Sequence, residues 1–253
     1  MAALFAVKAR AAGLFNSFKP KAPEDVRYHR TFDLPTRTTL LGFAAAALGL
    51  NERELYIKWN GGPSLAETIE VTSILEGIAG HIRDYWTIKK IVERSVKGKK
   101  KPPFSAMQVR EQLFKPCYLL CFASSDDNTV GKLCDALKDP RYPLSLGRDD
   151  ELVRVTEIEQ CSLRKLIPPF TLSNTLLLMN FLRVVEEEDR KCLLQSLIRL
   201  KSARRFSIRE DGARVEEDMQ EYVQLTKQIR VVGDIGAYTD APEGKEGNNF
   251  VFL

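Results

Sequence analysis

Four consecutive residues, Arg27-Tyr28-His29-Arg30, combine three potential cations with one aromatic ring. That set suits a nucleic acid, because guanidinium and imidazolium groups meet phosphate while a phenol ring stacks on an unpaired base. A solvated basic loop has the same composition, so the tetrad alone does not decide. A second group lies in Thr36-Arg37-Thr38-Thr39, with three hydroxyls and a guanidinium crowded at the entrance of an apolar stretch. A helix N-terminus carries unpaired N–H groups and partial positive charge, and this entrance would favour an anion such as phosphate. Plain capping with one solvated arginine is the alternative. A third candidate is the loop Arg141 to Asp150, where Gly147 precedes Arg148 and lets backbone approach a ligand. Lys89, Lys90 and the run from Lys97 through Lys99, Lys100 and Lys101 to Pro103 add a basic tip. Only His29 and His81 are available, and the five cysteines contain no C-x-x-C, so neither a metal nor a cofactor is implied.

The helix entered at Thr36 is marked at both ends. Pro35 fits the first helical position, with Thr36 its rival for the cap and its hydroxyl reaching the N–H of Thr39. Leu40, Leu41, Ala44, Ala47 and Leu48 make one buried face, and Gly49 suits a left-handed residue past the end, with Leu50 packing back. Upstream, Leu4 to Ala9 alternates as a strand. Phe5 and Val7 occupy a dry face; Leu4, Ala6, Lys8 and Arg10 occupy a basic one. Ala11 to Arg30 reads as a basic loop broken by Pro20 and Pro23.

Downstream, strands are expected at Leu55 to Asn60 and Thr68 to Leu75, with a Gly61-Gly62-Pro63 turn between them. Residues 81–112 read as an arm or hairpin with a cationic tip, its base ordered by Tyr85 and Trp86. Pro116 to Ala123 has the apolar character and length of a central strand. A helix carries Val130, Leu133, Cys134 and Leu137 and ends before Pro140, and Glu151 to Ile158 is a further strand. The order strand, helix, strand, arm, strand, helix, strand predicts an α+β, ferredoxin-like domain of RNA-recognition type over residues 1–160. Its open sheet would leave one face available for single-stranded nucleic acid. Residues 161–253 read as a C-terminal lobe with helices that packs on the core or a partner. Helices are expected at Thr171 to Leu182 and Glu186 to Leu200, and another within Phe206 to Gln228.

A chain of 253 residues suits one large or two modest domains of a soluble globular protein. Residues 1–115 hold 19 Lys and Arg against 11 Asp and Glu, whereas residues 116–253 hold 19 against 23. The basic front implies a nucleic-acid face and the acidic back a protein-contacting or solvated part. The apolar run from Leu40 to Leu50 is short of the ~20 residues that span a bilayer. The apolar start precedes Lys8 and Arg10, an order wrong for a secretory signal. An organelle presequence would suit the lack of acidic residues before Glu24, but the alternation there favours a strand. A reducing cytoplasm with buried free thiols, and no membrane contact, is the expectation.

Leu34-Pro-Thr-Arg-Thr-Thr-Leu-Leu-Gly-Phe-Ala-Ala-Ala-Ala-Leu-Gly49 resembles the first-helix signature of the Cas-five family, a subunit of the type I CRISPR surveillance complex Cascade. Pro140-Arg-Tyr-Pro-Leu-Ser-Leu-Gly-Arg-Asp-Asp150 resembles that family's loop between second helix and last strand. The resemblance implies a ferredoxin-like domain with a long thumb-like insertion at about 81–112 that holds the 5′ handle of the CRISPR RNA. It implies as partners a Cas-seven-type backbone filament, which the subunit caps, and a large Cas-eight-type subunit, with target DNA met only through the complex. Thr36 to Thr39 and the Gly147-Arg148 loop would then accept handle phosphates. Tyr28, His29, Arg27 and Arg30 would hold a splayed base, and the lysines at 89, 90 and 99–101 would lie along the thumb. One branch of the family cuts the precursor RNA without metal through a Tyr/Lys/His set. Tyr28, His29, Lys89 and Lys90 are what this chain offers toward it. Non-catalytic handle binding in antiviral defence is the preferred expectation and a metal-independent endoribonuclease the alternative.

Overall fold

The computed structural model describes residues 4–18, 28–59, 61–90, 104–195, 199–242 and 245–253. In chain order, β1 (Leu4–Gly13) leads to the short strands β2 (Phe15–Asn16) and β3 (Tyr28–His29), then to α1 (Arg37–Leu48), α2 (Glu52–Tyr56) and α3 (Leu65–Thr68). Next come β4 (Glu70–Gly77), β5 (Gly80–Lys90), β6 (Phe104–Phe114), β7 (Cys117–Ser124), α4 (Asp127–Lys138) and β8 (Val153–Lys165). The remainder is β9 (Phe170–Leu172), β10 (Leu176–Leu178), a 3-10 helix (Met179–Val184), α5 (Glu187–Gln195), β11 (Arg199–Ile208), β12 (Arg214–Gln224), β13 (Ile229–Val231), β14 (Tyr238–Thr239) and β15 (Asn249–Phe250). The molecule is thus a mixed α/β structure made mostly of strands.

The main sheet has the order β15-β14-β8-β1-β7-β4, and every neighbouring pair is antiparallel. Alternation along β1 sends Val7, Ala9 and Ala11 to one side. There they meet Leu40, Leu41, Ala44 and Ala47 of α1 and Val130, Leu133 and Leu137 of α4 in the principal core. The end of α1 is decided locally. Gly49 adopts φ 73° and donates to Ala46, while Leu50 donates to Ala45, the paired bonds of a left-handed helix stop.

The opposite sheet face is not open. Ala6, Leu119, Cys121, Ala123 and Leu163 form a second apolar cluster with Phe250 from the C-terminal segment. The basic residues of β1 on that face are neutralised. Lys8 Nζ lies 2.7 Å from Asp240 and 3.2 Å from Glu159, and Arg10 pairs with Glu76 and Glu157. The expectation of a free basic sheet surface is corrected, because C-terminal residues cover it and four carboxylates balance its charge.

The Lys8–Asp240 pair is largely enclosed, with side chains 13% and 8% exposed. Burial opposes ionisation of Asp240, but hydrogen bonds from Lys8 and Asn248 overcome it and hold the carboxyl below its ordinary range. Burial likewise opposes the Lys8 charge, yet the Asp240 contact sets its pKa above the usual lysine value. A depressed carboxyl stabilises the fold above the ordinary carboxylate range, and that contribution disappears as pH falls through its folded value. A raised ammonium stabilises below the ordinary lysine value and is lost as pH rises through its folded value. Asp240→Asn is expected to cost about 1–2 kcal/mol near neutral pH, allowing for solvent beside the pair. Urea melts over a pH series should show that difference shrinking at both extremes; a constant difference would exclude the pair as its source.

Several other expectations are corrected. Ala11 to Gly13 continue β1 instead of opening the loop. Leu55 and Tyr56, expected to begin a strand running to Asn60, instead end α2, which Asn51 and Glu54 start with a reciprocal capping box. The apolar segment Thr171 to Leu182 is not an α-helix: Thr171 and Leu172 belong to β9, Leu176 to Leu178 pair with Tyr222 to Gln224, and its last residues fall in the 3-10 helix. Among the described residues the helix covers Glu187–Gln195, and Arg199 and Leu200, expected at or near its end, belong to β11. Phe206 to Gln228 contains no helix, because β11 and β12 form a hairpin closed at Asp211-Gly212, where glycine supplies φ 80°. β8 runs through residue 160 to Lys165, and β14 and β15 extend the main sheet beside its end, whereas β9 to β13 pair in two separate small sheets around another apolar cluster. Residues 161–253 are thus built mainly of strands where helices were expected. No helix among the described residues is long and apolar enough to cross a membrane.

Candidate nucleic-acid interface

The hairpin β5–β6 carries an alternating pattern whose register places its side chains. Asp84 faces Arg110, Tyr85 faces Val109 and Trp86 faces Gln108. Successive residues point to opposite faces. Asp84, Trp86, Gln108 and Arg110 therefore share one face, and His81, Arg83, Tyr85 and Glu111 share the other. β3 runs parallel along the free edge of β6, with Tyr28 opposite Val109 and His29 opposite Arg110. The expected tetrad is thereby divided, because Tyr28 and His29 belong to different faces.

On the face that holds Arg83, its guanidinium lies 5.7 Å from the centre of the Tyr28 ring. The Tyr28 hydroxyl donates to Glu111 at 3.4 Å, and the Thr31 N–H donates to the same carboxylate at 3.2 Å. His81 stands between two acids, 3.3 Å from Asp33 and 3.9 Å from Glu111. Tyr85 is 65% exposed there, an aromatic surface open to a partner. On the face that holds Arg110, His29 Nε2 meets the Gln108 amide and Trp86 Nε1 donates to Asp84. The Arg110 guanidinium stacks 4.4 Å from the Trp86 ring centre, with Arg148 at 6.0 Å from the same ring.

Arg148 arrives through a tightly built loop. Glu151 is 3% exposed, and its carboxylate accepts the N–H and hydroxyl of Ser17 and the N–H of Arg148 at 3.0 Å. Gly147 has φ 116°, and a Cβ there would lie 2.3 Å from the Glu151 carboxylate and 2.7 Å from the Ser17 carbonyl. The close backbone approach expected at Gly147 is therefore to the protein's own Ser17. The Arg148 N–H is likewise spent on Glu151 and is not offered to phosphate. What remains for a ligand is the Arg148 side chain.

The entrance of α1 is corrected as well. Thr36 occupies the cap position with extended backbone but makes no side-chain bond to the helix N–H groups; its hydroxyl lies 3.1 Å from those of Thr38 and Thr39. Pro35 precedes the cap instead of beginning the helix. Arg37 is 5% exposed and donates to the carbonyls of Arg204 and Ala66, each at 2.8 Å. Burial, first among its influences, lowers its pKa from the usual arginine value. A guanidinium enclosed and bonded in this way ties α1 to α3 and β11, and it does not reach a phosphate in solvent.

Arg30 is exposed at the end of β3. Lys89 and Lys90 end β5 opposite Ser105 and Phe104. Arg27, Lys99, Lys100 and Lys101 lie outside the described residues. The fold thus gathers Tyr28, His29, Arg30 and Arg148 at the base of the hairpin and leaves Thr36 to Thr39 apart. Sequence reasoning missed His81, Arg83, Arg110 and Glu111 as members of this site. The period-two pattern of Met107-Gln-Val-Arg-Glu111 was the available signal. Among the described residues, no group of three or more His, Cys, Asp and Glu side chains converges as a metal site.

The sequence profile of a family described as CRISPR-associated protein (Cas_Cas5) matches residues 6–175. No curated protein matches the chain. Among solved structures, a chain of a CRISPR RNA-guided surveillance complex superposes with a TM-score of 0.50 at 17% identity, over 90% of this chain and 91% of that one. A CRISPR protein from Archaeoglobus fulgidus gives a TM-score of 0.50 at 12% identity, over 95% and 97%. These two likenesses are of fold.

Proposed function

Starting from the chain's membership of the CRISPR-associated Cas5 family, we propose that it is a non-catalytic subunit of a type I Cascade complex that binds the 5′ handle of the CRISPR RNA. The units β1-α1-β4 and β7-α4-β8, with their strands in the order β8-β1-β7-β4, support reading the core as ferredoxin-like. The β5–β6 hairpin, inserted between β4 and β7, is the thumb in this reading. The observation that carries the proposal is a pairing of cations with rings on each face of its base, Arg83 with Tyr28 on one and Arg110 and Arg148 with Trp86 on the other. Cations for phosphate beside rings for unpaired bases are what single-stranded recognition requires. The covered sheet face directs RNA to the hairpin. Cas-seven-type and large Cas-eight-type subunits are the partners this role assigns, with antiviral defence as the setting and the cytoplasm as the location.

Fluorescence anisotropy with labelled repeat RNA is expected to show tighter binding to the native handle than to a scrambled one. Tyr28→Ala should weaken it by about fivefold to a hundredfold, the range for one stacked base. Equal affinity for both RNAs would overturn the reading.

One observation favours a metal-independent endoribonuclease as second reading. His81 lies between Asp33 and Glu111, and the latter also holds the Tyr28 hydroxyl, so an acid–base group has an orienting partner. The set Tyr28, His29, Lys89 and Lys90 is less suited, because Tyr28 and His29 address opposite faces. Incubation with repeat RNA in EDTA separates the readings. Intact RNA supports the binding subunit, and products with defined ends that vanish in His81→Asn would establish the nuclease.

A further inference from the structure

Arg110 is 6% exposed, yet its Nε and Nη1 are buried and have no hydrogen-bond partner among the described residues. Its Nη2 lies 3.7 Å from Asp84, an ion-pair distance too long for a hydrogen bond. Asp84 is already engaged, since it accepts the Trp86 indole N–H. Enclosed guanidinium donors are normally paired, because leaving them unpaired after desolvation is costly. The charges around them are also unbalanced. Arg110 and Arg148 both lie against the Trp86 ring, and among the described residues Asp84 is the carboxylate at ion-pair distance from the Arg110 guanidinium. His29 of β3 bonds to Gln108, and neither these nor Gln112, which shares this face, brings negative charge. Arg148 is kept near by the Glu151 bond to its N–H. The group that would complete the recess is therefore a compact anion presenting several oxygens.

We propose that the Arg110 recess seats one backbone phosphate of the bound RNA, with Arg110 and Arg148 on either side and Trp86 as the platform fixing Arg110. Phosphate matches a planar guanidinium in charge and donor geometry. Trp86 is 42% exposed, which leaves indole surface for the neighbouring base. This assignment rests on the RNA-binding reading above and adds to it one seat for one phosphate.

The test uses the full chain and handle RNA in which each phosphodiester is replaced in turn by an uncharged methylphosphonate. With wild type, one linkage is expected to stand out, weakening binding by about tenfold or more and reducing the salt slope by about 0.7. Arg110→Gln should show the same loss with unmodified RNA and no further loss at that linkage. Arg110→Lys should recover part of the slope but not the affinity. The methylphosphonate scan stands even if a variant fails to fold. If wild type prefers the handle while no linkage stands out and Arg110→Gln binds normally, the phosphate seat is overturned and the subunit reading survives. If wild type does not distinguish handle from scrambled RNA, the subunit reading itself has failed. An equal dependence on Arg110 with DNA of the same sequence would overturn the assignment to RNA. Displacement of RNA by low millimolar inorganic phosphate in wild type but not in Arg110→Gln would support the seat.

Discussion

Replacing Arg37 by alanine is expected to destabilise the protein by about 2–4 kcal/mol and to leave handle RNA affinity nearly unchanged. The guanidinium donates at 2.8 Å to Ala66 and at 2.8 Å to Arg204, carbonyls that precede β4 and lie within β11. A hydrogen bond from a charged donor contributes about 1.5–3 kcal/mol, and alanine would remove both while leaving the acceptors in a recess shaped for a larger side chain. The relief of desolvating a buried cation offsets part of that loss. Arg37→Met separates the terms, because it restores apolar volume without the donors and should recover a minority of the stability. Urea melts give the free energies. Anisotropy at a temperature where each variant is folded gives the affinity. Unaltered melts with weakened RNA binding would return Arg37 to the interface and refute its structural assignment.

Glu151→Ala should be the other severe change, at about 2–5 kcal/mol, since two enclosed backbone donors lose their acceptor at about 1–3 kcal/mol each. The carboxylate joins Ser17, which follows β2, to Arg148 in the loop before β8. The same turn is fastened by the Leu146 N–H donating to the Glu151 carbonyl at 3.1 Å and by the Asn16 amide donating to the Leu146 carbonyl. Without the carboxylate, Arg148 loses what holds it near Trp86. RNA binding should therefore weaken as well, with a salt slope lower by about 0.7. Ser17→Ala removes only the hydroxyl and is expected to cost about 1 kcal/mol without changing the slope. If Glu151→Ala lost stability but kept the full slope, Arg148 would not be a phosphate contact.

These two residues also show why the candidate site was only partly legible. Arg37 stands at a helix entrance among hydroxyls, where anion binding is a sound local inference. Its fate was set by a carbonyl 167 positions away. The sequence around Glu151 carried no sign that its carboxylate would close on Ser17, 134 positions distant. The C-terminal strands were missed for the same reason. Leu176 to Leu178 show no alternation that would distinguish strand from helix, and their partners begin at Tyr222.

By itself the sequence determined what depends on neighbours along the chain. The stop of α1 at Gly49 follows from one residue's access to the left-handed region, and the amphipathic spacing of α4 follows from helical period. The longer elements β1, α1, β4, β7, α4 and β8 and the existence of the hairpin were readable on the same basis, as was the first-helix motif of the Cas5 family, whereas the short elements β2, β3, α2 and α3 were not. Only the tertiary structure decided which charges remain for a ligand. Lys8, Arg10 and Arg37 are balanced or enclosed by segments remote in sequence, whereas Arg83 is brought beside Tyr28 on one hairpin face and Arg110 and Arg148 beside Trp86 on the other. The physical reason is that a cation's availability depends on the carboxylates, carbonyls and rings that folding brings to it. Those partners come from distant elements whose register no local pattern encodes.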